Sequence, residues 1–238
     1  MEAIILAGGK GTRLSSVVNG IPKPMADVNG TPFLGHVLGR LSASGVHRAI
    51  LSVGWMFEAI RGYFGAKYKG IGMDYVIEDR PLGTGGAIKE ALKSAREEDV
   101  FVLNGDTYFE VGIAGLLKAH KEKDADVTIS LKPMRDFDRY GTVTLDGNGK
   151  VAGFNEKRFE RSGLVNAGFY VLKTRMAETL DRYCPEESFS FEKDFLEVNV
   201  KALNVAPYVE DGYFIDIGIP EDYQRAKKEF KMLREGRA

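Results

Sequence analysis

The sequence predicts a three-layer α/β/α architecture around a mixed, mostly parallel central sheet, and three features point to it. Short apolar runs alternate with helical periodicity over the first hundred residues, the texture then turns to hairpin-linked strands, and an amphipathic helix ends the chain. With 238 residues, 44% of them hydrophobic, the chain has ample apolar material for one domain spanning residues 1–238.

Residues 3–7 are continuously apolar and read as a buried central strand. Thr31-Pro32 reads as a cap and first-turn proline for a helix striped by Leu34, Val37, Leu38 and Leu41, which Gly45 ends. Residues 49–53 form a second strand, Phe57, Ile60 and Phe64 mark a short helix, and residues 74–78 form a third strand. A Gly-rich turn leads to a helix with Ala87, Ile88, Ala91, Leu92 and Ala95 on its inner face, and residues 100–104 are a fourth strand. Beyond these, 127–132, 140–145, 151–155 and 165–172 are strand-like, with Asp146-Gly147-Asn148-Gly149 as a hairpin turn, so the second half is more antiparallel. Pro220 opens the last helix, whose inner face is Tyr223, Ala226, Phe230 and Leu233. No repeat is visible, and nothing resembles the six-residue β-helix repeats of an appended acyltransferase domain.

Lys and Arg number 33 against 34 Asp and Glu, a net charge of -1, which offers no general attraction to nucleic acid or to a membrane surface. An anionic ligand therefore needs a local cluster. The single cysteine, Cys184, excludes an intramolecular disulfide and fits a reducing compartment. The first residues lack the basic region and apolar length of a signal peptide, so a cytoplasmic location is expected.

Leu6-Ala7-Gly8-Gly9-Lys10-Gly11-Thr12-Arg13-Leu14 follows the first strand, and Ile21-Pro22-Lys23-Pro24-Met25 comes shortly after. Three glycines let backbone N–H groups approach phosphate oxygens that a side chain would keep away. Between Glu2 and Asp27 there is no acidic residue, whereas Lys10, Arg13 and Lys23 are cationic, as a triphosphate site requires. The P-loop pattern is absent, and so is the full dinucleotide fingerprint. Asn104-Gly105-Asp106-Thr107 ends a predicted strand, and Phe214-Ile215-Asp216-Ile217-Gly218 repeats that arrangement near the C-terminus. Carboxylates at the carboxyl ends of strands in an open sheet lie in the ligand crevice, and one or two of them suffice for Mg²⁺ when phosphate oxygens complete its shell.

Gly8-Gly9-Lys10-Gly11-Thr12-Arg13-Leu14 together with Pro22-Lys23-Pro24 resembles the G-G-x-G-T-R-L and P-K-P elements of the sugar-1-phosphate nucleotidyltransferase family. The resemblance implies a Rossmann-like fold with a small antiparallel sugar-binding lobe, residues 1–110 serving mainly the nucleotide and 111–238 mainly the sugar phosphate. It implies that Lys10 and Arg13 contact the NTP phosphates, Arg13 stabilising the departing pyrophosphate, that Lys23 reaches the α-phosphate, and that Asp106 and Asp216 bind Mg²⁺. Arg13, Lys23 and Asp106 are thus the expected catalytic residues. Leu6, Ala7, Gly8, Gly9, Gly11, Thr12, Pro81, Thr84, Asn104 and Gly105 are expected around the nucleotide, with the backbone of Gly83 beside the base.

The segment from Glu78 to Ala87 resembles the family's base-recognition stretch. Relatives that read uracil or thymine commonly carry Gln where this chain has Glu78. A carboxylate only accepts hydrogen bonds, and guanine offers two adjacent donors, so Glu78 favours GTP. Arg139-Tyr140-Gly141, Phe154-Asn155-Glu156-Lys157 and Asn166-Ala167-Gly168 are similar to the sugar-phosphate elements. By that similarity Glu156 accepts sugar hydroxyls, Lys157 grips the phosphate, Gly141 lets the ring approach and Asn166 hydrogen-bonds it, with Lys23, Tyr140 and Gly168 also in the sugar-phosphate set. Phe189-Ser190-Phe191-Glu192-Lys193-Asp194 is also similar, although Glu192 and Asp194 read equally as helix caps.

Over its length the chain resembles the D-glycero-α-D-manno-heptose 1-phosphate guanylyltransferases, which would make its product a GDP-heptose for a bacterial capsule or surface polysaccharide. Mannose 1-phosphate, UTP and dTTP remain open as substrates, and so does a homodimer. Two rivals are weighed against this reading. A glycosyltransferase usually carries D-x-D where this chain has Asn104-Gly105-Asp106, and a non-catalytic nucleotide sensor on the same fold would have no need of Arg13, Lys23, Asp106 and Asp216 together.

Overall fold

The computed structural model describes residues 1–9, 14, 18 and 20–234, without the side chains of 233 and 234. Strand β1 (Glu2–Leu6) lies mid-sheet because both of its faces are apolar: Ala3 and Ile5 point into one core and Ile4 into the other. Strands β4 (Arg48–Val53), β6 (Ile71–Ile77) and β7 (Asp99–Asn104) run parallel to it, in the order β6-β4-β1-β7, with the short β5 (Lys67–Tyr68) on the outer edge. On the far side of β7 lies the antiparallel strand β12 (Glu160–Lys173), with β9 (Val127–Phe137), β10 (Thr142–Leu145) and β11 (Val151–Asn155) beyond it. Strand β13 (Val205–Val209) pairs in parallel with β9.

Helices cover both faces. Helices α1 (Phe33–Ala43), α2 (Phe57–Phe64), α4 (Ile113–Glu122) and α7 (Pro220–Arg234) pack on the Ala3/Ile5 side, whereas α3 (Gly83–Leu92) and α5 (Met176–Tyr183) pack on the Ile4 side. From β1 the chain crosses through α1 to β4, then returns through α3 to β7 on the opposite flank of β1. The direction of winding therefore reverses between β1 and β7, and a crevice opens there at the carboxyl ends of the strands.

Most predicted elements are present, with informative shifts at their ends. Thr31 does not cap α1; Thr31–Pro32 is a short strand, β3, paired with β2 (Asp27–Val28), and Phe33 N–H donates to Ala26 O at 2.9 Å. Residues 83–86 are the first turn of α3 rather than a turn preceding it. Strands β9 and β12 run longer than predicted, while Tyr140 and Gly141 precede β10 instead of joining it. The hairpin forms as expected, with Gly149 at φ 73° and Asp146 Oδ1 accepting from the N–H groups of Asn148 and Lys150. Among the described residues no helix is long and apolar enough to cross a membrane.

Candidate functional site

At the switch point the chain leaves the sheet under tight backbone control. Gly105 N–H donates to Leu6 O and Ala7 N–H to Ser52 O, both at 2.8 Å. A Cβ on Gly105 would stand 2.9 Å from Leu6 O, and one on Gly8 would stand 2.4 Å from Glu78 Oε1. Glycine at position 8 is thus what lets the Glu78 carboxylate approach the strand end. That carboxylate accepts from Ser52 Oγ at 2.8 Å and from Leu82 N–H at 3.3 Å, which leaves acceptor capacity on both oxygens. Leu6, Ala7, Gly8, Gly9, Lys23, Glu78, Pro81, Gly83, Thr84, Asn104 and Asp106 line one cavity of about 440 Å³. Lys10, Gly11, Thr12 and Arg13 lie outside the described residues.

Two three-residue strands bring the distant acids together. Strand β8 (Thr107–Phe109) pairs antiparallel with β14 (Phe214–Asp216), setting Asp216 opposite Thr107, and Ile217 N–H donates to Asp106 O at 3.0 Å. Lys23, carried on a single 3-10 turn (Lys23–Met25) that begins after Pro22, inserts its ammonium between the two side chains. Nζ lies 2.5 Å from Asp106 Oδ2 and 3.5 Å from Asp216 Oδ1. Burial, with the Asp106 charge beside it, holds the Asp216 carboxyl above the usual carboxylate range, against the pull of Lys23. A Cβ on Gly218 would stand 3.0 Å from Asp216 Oδ1, so that glycine keeps the carboxylate clear.

A second cavity, about 300 Å³, opens on the other side of Asn104 and is lined by Tyr140, Gly141, Glu156, Lys157, Asn166, Gly168 and Asp216. Its floor is an irregularity in β12, where the pairing jumps from Asn166 opposite Leu131 to Tyr170 opposite Ile129, with Gly168 at φ 64° between them. Gly168→Ala would force a Cβ to within 2.4 Å of Asn104 Nδ2 in a backbone conformation that disfavours it. It is expected to cost about 1–3 kcal/mol of unfolding free energy, measured by urea titration.

Tyr140 is wedged between Phe214, 5.6 Å away and edge-on, and the Arg139 guanidinium, 5.5 Å from the ring centre. Burial, followed by the nearby Asp216 charge, pushes its hydroxyl up to about 12. Arg139 itself is anchored by Asp222 at 2.5 Å, in the first turn of α7. Glu156 and Lys157 stand exposed at the rim, where Glu156 Oε1 accepts from Lys193 Nζ at 2.8 Å, a pairing that holds the Glu156 carboxyl below its ordinary range.

The two acids of the segment after Phe189 behave differently. Asp194 caps: its Oδ2 accepts from Ser190 N–H at 2.7 Å while Ser190 Oγ accepts from Lys193 N–H at 3.1 Å, reciprocally satisfying the start of the π-helix Phe191–Leu196. Glu192 does not cap; it lines the second cavity together with Thr107, Thr142 and Tyr170, none of which sequence reasoning picked out as site residues. A usable signal was Tyr170, since a tyrosine in a buried strand must find a partner for its hydroxyl.

The arrangement is that of two cavities meeting over a cation-bridged pair of carboxylates. Residues 2–232 match the family described as Nucleotidyl transferase. A D-glycero-alpha-D-manno-heptose 1-phosphate guanylyltransferase of Aneurinibacillus thermoaerophilus is 45% identical over 231 residues, covering 97% of this chain and 99% of the relative. The enzyme of that name from Campylobacter jejuni is 46% identical, covering 94% and 97%. The solved structure of HddC from Yersinia pseudotuberculosis complexed with GMP-PN superposes with a TM-score of 0.84 at 39% identity, covering 96% of this chain and 99% of that one. Matched almost end to end on sequence and on fold, the chain belongs to the nucleotidyl transferase family.

Proposed function

We propose that this chain condenses GTP with D-glycero-α-D-manno-heptose 1-phosphate to give GDP-heptose and pyrophosphate. One observation carries the reading: the two cavities share Asn104 and meet where Lys23 bridges Asp106 and Asp216. The nucleotide would take the larger cavity and the sugar phosphate the smaller, so that the phosphate oxygen and the α-phosphorus meet at that join. The names of the guanylyltransferase relatives and the GMP-PN held by HddC support the choice of partners.

A sugar 1-phosphate is already ionised, so its oxygen attacks the α-phosphorus without a general base. The bond from the α-phosphorus to its β-bridging oxygen breaks, and the electron pair leaves with pyrophosphate. The protein supplies position and charge. Lys23 would hold an α-phosphate oxygen, Glu78 would accept from the guanine donors, Asn166 would donate to the sugar, and Lys157 would reach its phosphate. Two carboxylates against one ammonium leave one negative charge in excess, a hard-oxygen donor set that suits a divalent cation completed by phosphate oxygens. Asp106 and Asp216 would hold Mg²⁺, which when bound offsets the charge that moves onto the leaving group.

A pyrophosphate-release screen of four NTPs against heptose and mannose 1-phosphates tests the reading. GTP with the heptose is expected to be the best pair, and silence from every pair would end the proposal. Lys157→Ala is expected to raise the KM for sugar phosphate about tenfold, the loss of one charge-assisted contact, with little change for GTP. The opposite split would put the sugar phosphate elsewhere.

A further inference from the structure

Glu192 sits where the two cavities are tied together, and every bond around it has a fixed direction. Its Oε2 accepts from Thr84 Oγ1 at 2.8 Å and from Ser190 Oγ at 3.2 Å; its Oε1 accepts from Tyr170 OH at 2.9 Å. Thr84 Oγ1 also accepts from Phe191 N–H at 2.9 Å, so its own proton must go to Glu192. On the other arm, Gly168 N–H can only donate, and it does so to Asn166 Oδ1 at 2.9 Å. That fixes the amide: Asn166 Nδ2 faces Tyr170 OH at 2.8 Å, and the tyrosine, accepting there, donates onward to Glu192. Tyr170 is fully buried, and burial with the Glu192 charge beside it keeps its hydroxyl protonated as a donor. One Nδ2 hydrogen of Asn166 is spent on Tyr170, and the second is left for the cavity that Asn166 lines.

The two arms end at different sites. Thr84 lines the larger cavity, on the first turn of α3, and Asn166 lines the smaller. We propose that Glu192 is a positioning residue for both substrates, its carboxylate orienting Thr84 toward the nucleotide and, through Tyr170, the Asn166 amide toward the sugar. The inference rests on the assignment of the two cavities given above. Only a carboxylate serves both arms, because an amide at 192 has one accepting atom and would face either Thr84 or Tyr170 with a donor.

The test measures KM for GTP and for sugar phosphate, kcat and melting temperature in Thr84→Val, Tyr170→Phe and Glu192→Gln, with Lys157→Ala as reference. Thr84→Val is expected to raise the GTP KM alone and Tyr170→Phe the sugar-phosphate KM alone, each about five- to tenfold, as for one hydrogen bond to a charged group or its relay. Glu192→Gln is expected to raise both. A purely structural role would lower the melting temperature without dividing the two KM values by arm. If Lys157→Ala raises the sugar-phosphate KM while Glu192→Gln moves neither KM, or if Tyr170→Phe shifts GTP as much as sugar phosphate, this inference is overturned and the cavity assignment stands. If Lys157→Ala leaves the sugar-phosphate KM unchanged, the assignment falls and takes the inference with it.

Discussion

Asp106→Asn is expected to lower turnover with GTP and sugar 1-phosphate by about 10²–10³-fold, the scale seen when one group that stabilises transition-state charge is removed. The reason lies in the charge balance at the join. Lys23 lies 2.5 Å from Asp106 and 3.5 Å from Asp216, so removing one carboxylate charge leaves an ammonium and a single carboxylate that neutralise each other. The excess that would attract a divalent cation then disappears, and the remaining amide oxygen is a weaker ligand for a hard ion. Initial rates of pyrophosphate release across a magnesium series check this, with the half-saturating magnesium concentration expected to rise as the maximum falls. Unchanged turnover at limiting magnesium would remove Asp106 from the proposed metal site. Asp216 offers an internal comparison: its carboxyl is held up by burial and by Asp106, so Asp106→Asn should lower the Asp216 pKa toward the ordinary range. A side-chain carbon resonance followed through a pH titration reads that change directly.

The parts of this architecture that were legible in the sequence are those with a short-range physical signature. The strand-helix alternation from Glu2 to Asn104 was visible because each buried strand is a run of apolar residues and each helix repeats at its own period. Gly8 stood out as one of three glycines that let backbone approach a phosphate; that a Cβ at position 8 or 105 would also collide with Glu78 or Leu6 depends on packing the sequence does not display. What stayed hidden depends on long-range pairing. Strands β8 and β14 have three residues each, too few to show any period, yet their ladder is what sets Asp216 beside Asp106.

Glu192 was ambiguous for a similar reason. Its partner Thr84 lies 108 residues away, and a Ser-x-Glu-x-Asp run satisfies a helix start on local rules alone. Local rules did describe Asp194 correctly; they could not say that its neighbour two residues earlier faces inward. The Gly-rich stretch at 83–86 misled in the other direction. Its glycines resemble a turn, but they stand in the first helical turn because the 187–189 segment packs against them, where a Cβ on Gly85 would lie 2.1 Å from the Phe189 ring.

Glu78→Gln should erode base selection, lowering the ratio of kcat/KM for GTP over UTP by about 10- to 100-fold, equivalent to about 1–3 kcal/mol for mispairing a half-buried polar group that a bound base would cover. The carboxylate is held by Ser52 Oγ and Leu82 N–H, both of which donate to it, so its orientation is set before any nucleotide arrives. Both oxygens keep lone pairs for further donors, which guanine can supply and uracil, with a carbonyl at that edge, cannot supply fully. An amide in the same place must set its NH₂ at one of the two oxygen positions, facing either Ser52 Oγ or Leu82 N–H. Opposite Ser52 the hydroxyl can turn and accept, whereas opposite Leu82 the N–H loses its acceptor and the 79–82 loop loosens; in either orientation guanine meets a donor where it needs an acceptor and uracil gains one. Either way the discrimination falls, and measuring kcat/KM for both nucleotides separately divides the fall into GTP lost and UTP gained. An unaltered ratio accompanied by a lower melting temperature would reduce Glu78 to a clamp for that loop. The close packing of Gly8 gives an independent route to the same answer. A Cβ there would stand 2.4 Å from Glu78 Oε1, so Gly8→Ala should displace the carboxylate and reproduce the loss of GTP preference with Glu78 itself intact.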